Sequence, residues 1–341
     1  THYFANLTTS YVKKHSPNMD YKLTNIKGAG GSKAAVIFTK KAKPTGSEWM
    51  ITSGSLAMNF VLKGADKAGY NYNAWRPMIS LSTGGTLVAN KSLGSVNDMI
   101  KNKPKLINSG IRPHSWSIIT PVALAALGLD VTMVWGNGSS ASYKAFKSGE
   151  TNIDHQSVTG YKKRYAKDDS VNTLFTWGAY DGDKIVRDPD FPNIPHFTEV
   201  LLANNISTST IEYRAWKLIF NTIYATKSFM VVPKDTPQNA TKEYLVAYQK
   251  AFADKDFIAE FTKKSGKSGL LIGDAAQKKY DIAFKDMDKD TNFIVHDATI
   301  DRGSSGGPLF DKNGYLIGLN TLKSGNMYFS VSADYILEMI K

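Results

Sequence analysis

The chain has 341 residues, 42% of them hydrophobic and 21% charged, a balance that fits a globular protein of about two domains of ~150 residues each. It contains no cysteine, which excludes disulfide scaffolds, thiolate metal sites and thiol catalysis, and no apolar run approaches the ~20 residues that cross a bilayer. The formal charge of +12 draws anions, but the basic residues are scattered in short runs such as Lys162, Lys163 and Arg164, so a nucleic-acid partner is not expected.

In chain order, Tyr3, Phe4, Leu7, Tyr11 and Val12 recur at helical spacing and predict a helix that stops at Ser16-Pro17. Alternation over 21–26 predicts a strand running into Gly28-Ala29-Gly30-Gly31-Ser32, followed by a small-residue helix over 33–40. A short buried strand over 49–53 ends at Gly54-Ser55, with further strands over 77–82 and 85–89 and a helix from Val96. Residues 105–110 again read as a strand entering a glycine turn. A helix over 117–127 and a strand over 131–135 follow, and Gly136-Asn137-Gly138-Ser139-Ser140 opens a helix closed by Gly149. Ile153 and Asp154 sit on a short strand. The repeat of strand, Gly/Ser turn and helix predicts an α/β fold with mainly parallel sheets.

Further along, 188–195 is a proline-stiffened loop and 228–232 a strand. Two amphipathic helices then carry Tyr244, Leu245, Tyr248 and Phe252, and Phe257 and Phe261, on their buried faces. From about Asp290 the chain becomes strand-rich and glycine-rich, which marks a boundary.

Three turns share one chemistry: 28–32, 109–115 and 136–140 all combine glycine with serine at the end of a strand. Ligands of open α/β sheets bind beyond the carboxyl ends of the strands. There glycine lets the backbone approach, and the next helix offers unpaired N–H groups to an anion. Each turn alone reads first as an ordinary N-capped connection; the three together shift the reading toward an anion cradle. No phosphate loop or strand-linked dinucleotide fingerprint occurs.

The ordered series of turns resembles a known family. Gly28-Ala29-Gly30-Gly31, Pro44-Thr45-Gly46, Thr52-Ser53-Gly54, Asn108-Ser109-Gly110 and Trp135-Gly136-Asn137-Gly138 come first. Pro189-Asp190-Phe191-Pro192 with Phe197-Thr198-Glu199, and then Pro233-Lys234-Asp235-Thr236-Pro237, complete it. Over roughly 1–285 this is similar to the Bug family, the periplasmic substrate-binding proteins of tripartite tricarboxylate transporters. The resemblance implies a two-lobed venus-flytrap fold over 1–289, with lobe 1 about 1–107 plus 225–289 and lobe 2 about 108–224. It further implies a small carboxylate held in an interlobe cleft by N–H groups and hydroxyls, delivery to a membrane permease, a monomer, and neither cofactor nor metal. Carried residue by residue, it names Ala29, Gly30, Ser53, Ser55, Ser109, Gly110, Ile111, Ser139, Ser140 and Asp154 as ligand-binding. Two departures stand out. The family opens with a strand and a Gly-Gly loop, whereas this chain starts inside the first helix, so that strand is expected to be missing and the chain to be a processed or truncated product. Arg112, Pro113 and His114 replace a small, glycine-rich turn; Arg112 either pairs with a carboxylate or faces solvent.

The tail carries a different signature. Asp301-Arg302-Gly303-Ser304-Ser305-Gly306-Gly307-Pro308, with the hairpin at Lys312-Asn313-Gly314, resembles the nucleophile region of trypsin-like serine peptidases of the high-temperature-requirement type. That resemblance implies Ser305 as nucleophile, with the N–H groups of Gly303 and Ser305 as oxyanion hole. A serine needs a histidine base and an orienting acid. None of His2, His15, His114, His155, His196 or His296 lies in the family's setting for one, and the match covers only 290–341. The tail therefore reads as an inactive remnant or fusion, a chimaeric join, or a complementable peptidase, and the chain as a whole as a binding protein. A basic nucleic-acid or anionic-surface module is the remaining alternative.

Overall fold

The computed structural model describes residues 2–18, 22–111, 115–182, 184–267, 269–284, 293–296, 308–310, 316–324 and 327–332. The chain opens with α1 (His2–His15), α2 (Ser32–Lys41), β1 (Met50–Ile51), α3 (Gly54–Ala68) and β2 (Trp75–Leu81). There follow β3 (Gly85–Asn90), α4 (Val96–Asn102), β4 (Leu106–Gly110), α5 (Ile119–Ala126), β5 (Val131–Trp135) and α6 (Ser139–Lys147). Next come β6 (Ile153–Ser157), α7 (Val158–Arg164), β7 (Val171–Thr176), β8 (Ala179–Asp181), β9 (Lys184–Val186), α8 (Phe197–Ala203) and α9 (Ile211–Ile219). The last part holds β10 (Ser228–Pro233), α10 (Gln238–Ala253), α11 (Lys255–Ser265), β11 (Leu270–Ile272), α12 (Asp274–Phe284) and the tail strands β12 (Phe293–His296), β13 (Pro308–Phe310), β14 (Leu316–Ser324) and β15 (Met327–Ser332).

The chain divides into two units, Thr1–Gly84 with Asn221–Lys285, and Gly85–Phe220 with Asp286–Lys341. In the first unit the sheet order is β1-β10-β2-β11, every neighbouring pair antiparallel. One face of it buries Met78, Met230 and Val232 with Phe4, Leu7 and Val12 of α1 and Tyr248, Phe257 and Phe261 of α10 and α11. These are the apolar positions whose helical spacing the sequence shows, and full burial of each large side chain stabilises by about 1.5–3 kcal/mol. In the second unit β6-β3-β7 is antiparallel and β4-β5 parallel. The tail strands form an antiparallel sheet in the order β12-β15-β14-β13, and β14 runs against α5.

Two expectations need correction. The sheets are mainly antiparallel, with β4-β5 the parallel ladder among the described strands. Periodicity reports which face of a strand is buried, and pairing direction depends on which segment the chain returns to that face. Residues 22–27 form no strand: 22–25 and 27 are exposed, so their alternation has no sheet to serve. Among the described residues no helix is long and apolar enough to cross a membrane, and no cluster of His, Asp and Glu could hold a metal ion.

Candidate functional site

In the first unit, Ala29 and Gly30 lie in a 3-10 turn before α2, where Gly28, Ala29, Gly30 and Gly31 all have positive φ. Ala29, at φ 47°, holds a left-handed conformation that costs an alanine about 1 kcal/mol. Ser53 is the N-cap of α3, its hydroxyl accepting from the Leu56 N–H at 3.2 Å, and Ser55 is the helix's second residue.

In the second unit, Ser109 and Gly110 end β4 and Ile111 follows. The next strand returns tightly: Asn137 N–H donates to the Gly110 carbonyl at 2.9 Å, and Gly136 N–H to the Ile111 carbonyl at 3.1 Å. Gly110 is required there, because a Cβ would stand 2.6 Å from Cβ of Ser117 and 2.9 Å from the Trp135 ring. The Ser117 hydroxyl accepts from Ile111 N–H at 3.2 Å, and the Ser142 hydroxyl of α6 donates to the Ser109 carbonyl at 3.4 Å. These contacts place the N-terminus of α6 beside the end of β4.

Ser139 and Ser140 are the first residues of α6, which has no side-chain cap. Arg164, the last residue of α7, reaches both. Its Nη1 donates to the Ser139 carbonyl at 2.9 Å, the Ser139 hydroxyl at 2.7 Å and Gln156 Oε1 at 2.6 Å. Its Nη2 donates to the Ser140 hydroxyl at 3.0 Å, and the guanidinium lies 5.2 Å above the Tyr143 ring. The Ser139 hydroxyl also donates to Gln156 Oε1 at 2.8 Å, so its one proton is already used. The Ser140 hydroxyl accepts from Arg164 and keeps its proton to donate. No acceptor among the described residues takes the N–H groups of Ser139, Ser140 and Ala141, so this end of the helix presents donors and a cation together.

Asp154 stands behind this cluster on β6. Gln156, two residues on and therefore on the same strand face, donates through Nε2 to Asp154 Oδ2 at 2.6 Å, and the Tyr165 hydroxyl donates to the same oxygen at 2.7 Å. With Arg164 donors at one end of the Gln156 amide and a carboxylate at the other, its orientation is fixed. Asp154 is fully buried, and among the described residues its Oδ1 has no hydrogen-bond partner. Burial pushes its pKa up to about 6 against the pull of Gln156, Tyr165 and Arg164. On the opposite face His155 packs edge-on against Trp116, centroids 4.1 Å apart, with neither ring nitrogen partnered among the described residues. Burial pushes its pKa down to about 3, so it is neutral at physiological pH.

The structure thus joins Ser139, Ser140 and Asp154 in one network and sets Ser109 and Gly110 beside it. Ala29, Gly30, Ser53 and Ser55 belong to the first unit. Sequence reasoning missed Gln156, Arg164 and Tyr165. The Asp-x-Gln spacing on a strand was a signal for the first; Arg164 is the end of a basic run that reads as solvated surface. Gly303 and Ser305, and Arg112 and His114, lie outside the described residues.

No protein-family model matches the chain, and no curated protein sequence does. Solved structures do. The periplasmic binding protein BugD superposes with a TM-score of 0.57 at 15% identity, over 83% of this chain and 89% of that one. A TctC solute-binding protein from Polaromonas gives 0.62 at 13% identity, over 83% and 92%. MatC from Rhodopseudomonas palustris with bound malate gives 0.56 at 16% identity, over 83% and 92%. The chain therefore has the two-lobed α/β fold of periplasmic binding proteins, as the turn series implied.

Proposed function

We propose that this protein is an extracytoplasmic solute-binding protein that captures a small carboxylate for delivery to a membrane permease of the tripartite tricarboxylate type. The observation that carries the reading is the N-terminus of α6. Uncapped N–H groups, a Ser140 hydroxyl free to donate and an Arg164 guanidinium held, among the described residues, only by neutral acceptors converge there. A carboxylate is the complement of such a set: it accepts several hydrogen bonds and would pair directly with a guanidinium that, among the described residues, makes no salt bridge. Asp154 and Gln156 keep the guanidinium in place from behind, and Ser109, Gly110 and Ile111 supply the neighbouring backbone. Support also comes from the fold, shared with MatC, solved with malate, and with an R. palustris protein solved with adipate, TM-score 0.56 at 17% identity.

The test is a thermal-shift panel of mono-, di- and tricarboxylates, aromatic acids and amino acids at millimolar concentration. A ligand that binds only the folded state raises the melting temperature in proportion to RT ln(1 + [L]/Kd). At least one small acid is expected to raise it without being consumed. A flat panel contradicts the reading.

A further inference from the structure

Asp154 is joined to the α6 site by two hydrogen bonds in series, all within the second unit. The Gln156 amide is the connector. Its Nε2 donates to Asp154 Oδ2 at 2.6 Å, and its Oε1 accepts from Arg164 Nη1 at 2.6 Å and from the Ser139 hydroxyl at 2.8 Å. Glycine at 160 makes room for this amide against α7, since a Cβ there would stand 2.5 Å from Gln156 Oε1. The Tyr165 hydroxyl donates to the same Oδ2 at 2.7 Å. Both donors thus fall on one oxygen, and among the described residues Oδ1 has no hydrogen-bond partner although the residue is fully buried. A proton on Oδ1 leaves every one of these bonds in place.

The charge facing this carboxylate comes from few groups. Arg164 favours its ionised form and works against burial. Elsewhere on α7, Lys162 is paired with Asp190 and Lys163 is exposed; on α6, Lys147 is paired with Asp168 and Lys144 is exposed. Tyr143 and Tyr161 pack their rings on Tyr165. The strands packed against β6, over 85–90 and 106–110, carry no ionisable side chain. His155 faces the other side of β6 and is neutral, burial holding its pKa at about 3. A carboxylate bound by Arg164 offsets the cation that keeps Asp154 ionised and sets a second negative charge across Gln156 from it. Asp154 then takes a proton more readily, and linkage makes the effect reciprocal: the proton strengthens binding of the acid by the same factor.

We propose that this protein captures its acid together with a proton: binding of a carboxylate at Arg164 and the first turn of α6 is coupled through Gln156 to protonation of Asp154. Asp154 is a positioning residue in this scheme, acting through Gln156, with the proton supplied by solvent. The coupling rests on the carboxylate-binding reading above and adds a condition to it, that affinity falls as pH rises. In the ligand-free protein Asp154 titrates at about 6, and with an acid bound it titrates higher. The proton's contribution to affinity is therefore complete below both values and is lost as pH climbs through them.

The test is calorimetric titration of the full chain with malate and with adipate from about pH 6 to 8, where these acids are largely ionised, in buffers of differing ionisation enthalpy. Wild type should bind about 3- to 10-fold more weakly at the upper end of that range, and take up about half a proton per acid near its lower end. Asp154→Asn should lose both the slope and the uptake. Tyr165→Phe keeps the ring and removes one donor to the carboxylate, so its slope should move to higher pH; it tests the coupling even where Asp154→Asn does not fold. Asp188, buried beside Asp190, also titrates at about 6, so a slope that persists in Asp154→Asn belongs to another group and overturns the proposal. A slope unmoved in Tyr165→Phe overturns it as well. Wild-type affinity that is flat with pH, with no proton exchanged, overturns the coupling and leaves the carboxylate reading standing. Failure of wild type to bind either acid at any pH overturns both.

Discussion

Asp154 holds a fully buried carboxylate against one amide and one phenol, and that arrangement titrates. Its folded pKa of about 6 lies above the ordinary value of 3.8. Between those two values the folded state binds the extra proton, so the group's contribution to stability falls as pH rises from about 4 to 6. Asp154→Asn should flatten that fall, measured as melting temperature against pH, and gain up to about 2–3 kcal/mol at pH 7, reduced by whichever hydrogen bond the new amide cannot accept. Arg164→Leu acts in the other direction. It should release Ser139, Ser140 and Gln156 and weaken carboxylate binding by about 10- to 100-fold, read by calorimetry. Of these residues the sequence named Asp154, Ser139 and Ser140 through an ordered set of turns. Arg164 was invisible because nothing in Lys162-Lys163-Arg164 says which of three cations ends a helix pointing back at another helix's N-terminus.

Among the elements, helices and strands with strong periodicity were legible: α1, α2, β4, β5 and the pair α10 and α11 stand close to where apolar spacing and Gly/Pro punctuation put them. Pairing was not. The strand after a Gly/Ser turn and helix pairs in parallel at β4-β5, whereas β2 finds its partners in β10 and β11, more than 140 positions later by sequence number. Local pattern has no access to such a return. The turn at the end of β4 offers a sharp test of close packing. Gly110→Ala would drive a Cβ to 2.6 Å from Ser117 and 2.9 Å from Trp135, and overpacking of that kind costs about 1–3 kcal/mol. Gly54→Ala meets Ile223 at 3.2–3.3 Å and should be milder. Chemical denaturation of the two variants should rank them in that order; equal stabilities would contradict the described geometry of β4 and β5.

For the whole molecule, the fold was readable because a series of weak turns in fixed order is more specific than any one of them. The tail was read from a local match to another fold. What the structure describes there is an antiparallel sheet whose β14 runs against α5, a helix with Ile119, Val122, Ala123 and Leu124 fully buried. A chain shortened to residues 1–289 should therefore melt lower than the full chain, through the uncovered side of α5, while still binding its acid; loss of binding in a folded, shortened chain would tie the tail to the site. The central claim, a protein that binds a small carboxylate through the donors at the N-terminus of α6, is tested most directly by calorimetric titration of the full chain with malate and adipate. The account predicts saturable one-to-one binding at micromolar affinity, weakened by Arg164→Leu, with the acid recovered unchanged. An absence of heat or saturation with either acid, up to millimolar concentration, would contradict it.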